Sequence, residues 1–412
     1  MGRWAVGLAV ALSLLALLAG CGEQAPDHSA PPPDRGAPPE LMPSGLAVGL
    51  NEANARLLAP PPPGAPQQPA FTAWRERVAA LAPAYVRLTV VWDQVQPSEL
   101  APPDFATPDS GCLRDVRPCS PYGGLRDRLA AVRALGAEPV ITIYSTPQWA
   151  AVDPNGCEPP DTGPVARMPE PQAYRALVRA LVDFTRAEGA PIAAWGPWNE
   201  PNHPAFLNPQ RAQCEDASPP LSPDRYAQLV RIFREEAGRD ARLLLGEVAG
   251  YDAARETAAG AAEFAAALPR ETACASDLFA LHSYVGSPRD REGGAPLVGD
   301  PARAGDLDIV DDVTAALDTH RCERPHRLWI TETGMTGEER RMVQGCREMH
   351  TALGAWDIHP RVDVAFQYTV REDPLFRSGL APARLGEPYP VYAAWAAWGG
   401  REPRGPSPPD PC

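Results

Sequence analysis

The sequence predicts a (β/α)8 barrel, an α/β fold of the TIM-barrel type in a single domain. Three observations predict it. Eight short apolar runs recur between residues 45 and 400, each of the length of a buried parallel strand. Amphipathic helical stretches lie between them. The segments after the runs are long (94–124, 145–170, 201–222), and those leading back into the runs are shorter. On such a fold, function gathers at the strand C-termini, where the long loops are.

In chain order the predicted strands are 46–50, 85–91, 139–144, 192–198, 243–248, 278–284, 328–331 and 362–368. The helices between them show one apolar face. One carries Tyr174, Leu177, Val178, Leu181 and Val182, with arginines opposite. A second carries Tyr226, Leu229, Val230 and Phe233, and a third Ile309, Val310, Val313 and Leu317. Each set follows the i, i+3, i+4 period of a helix on a core. Trp395 and Trp398 fall in the last helix and are expected in the core. A doubly wound open sheet is the competing architecture, but no GxGxxG follows the first strand.

Outside the barrel, the sequence predicts a targeting segment over 1–21. Arg3 precedes an apolar run from Trp4 to Leu18, then Leu18-Ala19-Gly20-Cys21. The run is short for a membrane span and suits the core of a signal peptide. The last four residues resemble a bacterial lipobox, in which Cys21 would be lipidated. Residues 22–44 are proline-rich and read as an extended tether, and 401–412 as a C-terminal tail. The expectation is an exported cell-envelope lipoprotein, a monomer that touches the membrane through its lipid alone.

Cysteine usage agrees with export. Nine cysteines less Cys21 leave an even set. Many pairings are open. The expectation carried forward is Cys112–Cys119, Cys157–Cys214, Cys274–Cys322 and Cys346–Cys412. None has metal-ligand spacing.

Composition excludes several chemistries. The net charge of −14 argues against nucleic acid or anionic lipid as an electrostatic partner. The chain contains no lysine. It therefore forms no Schiff base with substrate or pyridoxal phosphate and has no phosphate-loop lysine. The histidines form no HExxH, and no GxSxG is present. No cofactor and no metal are expected.

The predicted fourth strand ends in Trp198-Asn199-Glu200-Pro201, and the seventh in Thr331-Glu332-Thr333. Strands four and seven face each other across a barrel, so the two carboxyls share one mouth. Two carboxyls so placed can flank a glycosidic bond. Asn199-Glu200-Pro201 resembles the signature of the large (β/α)8 glycoside hydrolase clan that includes cellulases, mannanases and β-xylosidases. The resemblance covers about residues 45–400. It implies Glu200 as acid/base and Glu332 as nucleophile of a retaining glycosidase acting on a carbohydrate, β-linked by expectation. It further implies that Arg87 contacts the nucleophile, where a cation would favour the ionised carboxylate. His282-Ser283-Tyr284 resembles the clan's His-x-Tyr, with Tyr284 on the nucleophile. Asn199 would hold the sugar's 2-hydroxyl.

Aromatic residues at strand ends are the expected sugar platforms. They are Trp92, Tyr144, Trp149, Trp198 and Tyr368, of which two or three are expected to touch substrate. Two positions depart from the clan. Phe366-Gln367-Tyr368-Thr369 stands where many members have a tryptophan, and Tyr144-Ser145-Thr146-Pro147 where many have a histidine. Sugar and linkage therefore stay open. So do two other readings: a barrel that binds carbohydrate without cleaving it, and a transglycosylase on the same site. A structural envelope lipoprotein is a third.

Overall fold

The computed structural model describes residues 45–412, apart from 53, 62, 65–68, 108–123, 160–161, 216, 251–257, 287–306, 374–376 and 402–404. The expected signal peptide, Cys21 and the tether lie outside the described residues, as does the expected Cys112–Cys119 pair. Among the described residues, no helix is long and apolar enough to cross a membrane.

Eight parallel strands form the barrel: β1 (Ala47–Asn51), β2 (Tyr85–Val91), β3 (Glu138–Tyr144), β4 (Ala194–Gly196), β5 (Leu245–Ala249), β6 (Leu278–His282), β7 (Arg327–Thr333) and β8 (Val362–Tyr368). They pair in the order β4-β3-β2-β1-β8-β7-β6-β5. Closure between β4 and β5 rests on a single parallel bridge, Trp195 to Leu243. One principal helix follows each strand: α1 (Pro69–Ala80), α2 (Leu125–Leu135), α3 (Pro171–Ala187), α4 (Ser222–Ala237), α5 (Ala261–Ala267), α6 (Asp308–Asp318), α7 (Val343–Ile358) and α8 (Val391–Trp398). The apolar faces predicted for α3, α4 and α6 are the buried faces, and Trp395 and Trp398 of α8 are core.

Strand four is shorter than predicted because proline brackets it. Pro191 and Pro197 have no N–H to give a ladder, so pairing stops at Gly196. β6 ends at His282 rather than Tyr284, and β7 runs on to Thr333.

The barrel interior is layered. At its N-terminal end Tyr85, Val140, Ala194, Leu244, Leu278, Ala280, Trp329, Val364 and Phe366 make an apolar floor. The rings of Tyr85 and Trp329 stand 4.7 Å apart, and those of Trp329 and Phe366 5.9 Å. Gly49 is required here, since a Cβ would meet the Phe366 ring at 2.4 Å. Two residues along most strands the interior turns polar: Tyr85 gives way to Arg87, Gly49 to Asn51, Val140 to Thr142 and Ala280 to His282. That is the two-residue repeat of a strand. β5 and β7 break it. Leu244 is followed by Glu247, and Trp329 by Glu332, a step of three. Both strands carry register shifts at these places. A bulge of this kind re-aims a side chain, here a carboxylate in each case.

Three expected disulfides are present: Cys157–Cys214, Cys274–Cys322 and Cys346–Cys412. They fit an oxidising compartment. The first ties the loop after β3 to the loop after β4. The last fixes the C-terminal tail to α7.

Candidate active site

Arg87 is the hub of the site. Its side chain is wholly buried. A guanidinium in that position must have every donor satisfied. Nε donates to Glu247 Oε1 at 2.7 Å and to Thr142 Oγ1 at 3.2 Å. Nη1 donates to Asn51 Oδ1 at 2.9 Å and to Glu332 Oε1 at 2.8 Å, and Nη2 donates to Asn199 Oδ1 at 2.6 Å. Burial by itself would lower its pKa. The charges of Glu247 and then Glu332, with their hydrogen bonds, outweigh burial and hold it above the ordinary value.

Arg87 thereby fixes residues from four strands and from the turn after β4. Asn51 is locked in turn by donating Nδ2–H to the Thr331 carbonyl at 2.5 Å. Glu332 receives a second hydrogen bond at Oε2, from the Tyr284 hydroxyl at 2.8 Å. Burial, followed by the charge of Glu332, pushes the Tyr284 phenol well up. The same two causes raise Tyr144 and Tyr368. These phenols stay protonated around Glu332; Tyr284 donates to it, and Tyr368 donates to Asp373.

Glu200 lies opposite. Its φ is +40°, and Glu247 and Ser145 at the same rim have φ of +52° and +72°. Left-handed backbone at a residue with a side chain costs about 1–2 kcal/mol and gathers at functional sites. The Glu200 N–H donates to the Glu247 carbonyl at 3.0 Å, and Asn199 N–H to the Ile143 carbonyl at 3.0 Å. Asn202 Nδ2–H donates to the carbonyls of Ala249 and Ala259 and pins this loop to the end of β5. The turn that carries Glu200 is therefore held from both sides.

Glu200 Oε1 lies 2.7 Å from His282 Nδ1. His282 Nε2 is buried with no hydrogen-bond partner among the described residues. Nδ1 is therefore the ring nitrogen that engages Glu200. Burial raises the Glu200 carboxyl, but the His282 hydrogen bond and charge, with His203 and Arg87 behind them, outweigh it and hold the group below the ordinary value. Glu200 and Glu332 expose 15% and 13% of their side chains, so each keeps one edge open for a ligand. One oxygen from each, with the His282 nitrogen, lies within 4.8 Å of the others.

That trio has the spacing of a metal site as well as of a catalytic pair. It draws on β6, β7 and the turn after β4. The guanidinium 2.8 Å from Glu332 repels a divalent cation, which favours the pair.

The structure brings Glu200, Glu332, Arg87, Asn199, His282 and Tyr284 into one cluster, with Tyr144 and Tyr368 close enough to feel the charge of Glu332. Tyr368 and Tyr284 rings meet edge to face, 6.4 Å apart, and the Tyr368–Thr369 peptide is cis. Two aromatic expectations need correction. Trp198 has no exposed surface; it packs on Tyr174 and donates its indole N–H to the Phe206 carbonyl. Once β4 stops at Gly196, the Pro197 turn carries this ring under the loop instead of into the mouth. Trp92 is equally buried. Trp149 stands edge-on to Trp92 with its N–H on the Gln96 carbonyl, and it keeps part of its surface exposed.

Sequence reasoning missed Glu247, Thr142 and Asn51. Glu247 had a signal: a single carboxylate inside the apolar run 243–248 of a buried strand requires a buried cation as partner.

No protein-family model and no curated protein matches this chain. Solved structures do. An endo-β1,6-glucanase superposes with TM-score 0.53 at 13% identity, covering 87% of this chain and 76% of that one. An endo-beta-1,4-glucanase from Xanthomonas axonopodis pv. citri gives 0.52 at 14%, covering 86% and 98%. A family 39 glycoside hydrolase from Bacteroides cellulosilyticus WH2 gives 0.49 at 15%, and the chain spans 64% of its length. At these identities the likeness to the two glucanases shows the barrel fold alone.

Proposed function

We propose that this chain is a retaining glycoside hydrolase acting on β-linked oligo- or polysaccharide by double displacement. The observation that carries the proposal is the spacing of the carboxylates. Oxygens of Glu200 and Glu332 lie within 4.8 Å. Retaining enzymes hold the two groups about 5–5.5 Å apart, and inverting ones about 6.5–9.5 Å. A barrel built like those of a β1,6-glucanase and a β1,4-glucanase agrees with a β-linked substrate.

The roles follow from the partners. Glu332, ion-paired to Arg87, attacks the anomeric carbon. Its oxygen–carbon bond forms as the glycosidic carbon–oxygen bond breaks, and Glu200 gives its proton to the leaving oxygen. A sugar covering the open edge of Glu200 adds desolvation, which raises its pKa toward that of an acid. Water then attacks the glycosyl-enzyme, Glu200 takes the proton, and Glu332 is restored. Asn199 is fixed by Arg87 with its Oδ1 engaged, which leaves its amide side to meet a sugar hydroxyl. Tyr144, Tyr368 and Trp149 are the aromatic faces left for sugar. Turnover of aryl β-glycosides and β-glucans by the full chain tests the reading. Glu200→Gln and Glu332→Gln should fold and lose activity. Near-native rates from both would overturn it.

We further propose that residues 1–21 direct export and that Cys21 carries the lipid. The lipobox-like Leu18-Ala19-Gly20-Cys21 and the disulfides support this. Cys21→Ser should move the protein from the membrane fraction to the soluble one. An unchanged distribution would contradict the anchor.

A further inference from the structure

We propose that Glu247 is a positioning residue: the permanent counterion of Arg87, which lets Glu332 trade its charge for a covalent bond without stranding a buried cation. The proposal rests on the double-displacement reading above.

Of the two carboxylates that Arg87 hydrogen-bonds, the double-displacement cycle changes the charge of Glu332 alone; Glu200, hydrogen-bonded to His282, loses its proton in the first step and regains it in the second. When Glu332 bonds to the anomeric carbon it becomes a neutral ester; when water cleaves that ester it is an anion again. Arg87 does not change. It is wholly buried and lies within hydrogen-bond reach of two carboxylates, Glu332 and Glu247. Were Glu332 its sole anion, every glycosyl-enzyme would hold an unpaired buried guanidinium, a severe penalty. Glu247 removes it. Its side chain is fully buried, 2.7 Å from Arg87 Nε, and takes a second hydrogen bond from Thr142 at 2.8 Å. It does not face the open edge of the site and takes no part in bond making.

The fold makes room for this group at some cost. Glu247 sits at φ +52° on the β5 bulge. A Cβ at Gly196 would meet its Oε2 at 2.4 Å, so only glycine fits there. Oε2 itself is buried with no hydrogen-bond partner among the described residues. A neutral glutamine-like acceptor would serve as a mere strut with less desolvation; a carboxylate is explained by the need for charge. The Glu247 carbonyl also receives the Glu200 N–H, so one residue braces both halves of the pair.

The test uses the full chain and dinitrophenyl 2-fluoro-β-glycosides of glucose, xylose and mannose, which form a glycosyl-enzyme quickly and release it slowly. In Glu247→Gln, trapping should slow on the order of 100-fold while release of the trapped sugar speeds up. The esterified state has lost its counterion and the free state has not. Thr142→Val loses a hydrogen bond but no charge, and should keep the native ratio of trapping to release. A strut that merely places Glu332 would slow both steps together; that result, or no change in either, overturns the proposal.

A second readout needs no activity. Glu247→Gln and Glu332→Gln each leave Arg87 one carboxylate, and the double variant leaves none. Its thermal midpoint should fall further than the two single losses combined, and additive losses overturn the pairing. If Glu247→Gln does not fold, adding Arg87→Gln should restore folding, and continued failure overturns the proposal. Should the native chain turn over no glycoside, the hydrolase reading fails, and the thermal cycle still decides the pairing.

Discussion

The floor and the mouth of this barrel are made by the same eight strands, yet they are opposite in chemistry. The floor is Tyr85, Trp329 and Phe366 with aliphatic neighbours, closed by dispersion and burial. The mouth, a few ångströms further along, is Asn51, Thr142, Glu247 and Glu332, closed by hydrogen bonds to the Arg87 guanidinium, with His282 bonded to Glu200 beside them. The difference teaches where stability and chemistry reside. The floor's contacts are non-directional and additive with area, so losing them costs folding energy. The mouth's contacts are directional and charged, so losing one misplaces a reacting group.

The comparison sharpens most at the carboxylates. Glu332→Gln should lower kcat on the order of 10⁵-fold and Glu200→Gln about 10³-fold on an aryl glycoside, with thermal midpoints close to native. A large loss of midpoint with modest loss of rate would place these residues with the floor. The converse holds for Phe366→Ala. It should cost about 3–5 kcal/mol in denaturant unfolding, with kcat/KM of the folded protein near native. A collapse of kcat/KM at unchanged stability would break the division.

Much of this division was legible in the sequence, and the rest was hidden for identifiable reasons. Apolar runs reveal buried strands because both faces of a parallel sheet are covered, so all eight strands were found. Glu200 and Glu332 were found because both end such runs. Glu247 was not, since one charge inside an apolar run does not alter its pattern, and the bulge that turns it inward leaves no mark in residue order. The same limit applies to Trp198. Its placement in the mouth assumed a strand to residue 198, and Pro197 ends the ladder before it. The Glu200–His282 contact joins residues 82 apart in sequence and has no local signature at all.

Smaller effects probe the border between the two regions. Gly196→Ala should push a methyl against Glu247 and Thr142 and cost about 1–3 kcal/mol, with a fall in kcat as well, because the clash is on the Arg87 network. A stability loss without any rate effect would detach Gly196 from the mouth. His282→Ala removes the hydrogen bond that lowers Glu200 and leaves burial, which raises it. Glu200 then stays protonated to higher pH, so the alkaline limb of kcat/KM should move to higher pH. A shift to lower pH would show that His282 acts otherwise.

The account stands or falls on whether Glu332 forms a bond to sugar. The direct measurement is proton NMR of the first sugar released from an aryl β-glycoside, read before mutarotation. Attack by Glu332 followed by water inverts the anomeric centre twice, so the first product should be the β-anomer. A first product in the α form would mean that water attacks directly, and the assignment of Glu332 as nucleophile would be contradicted.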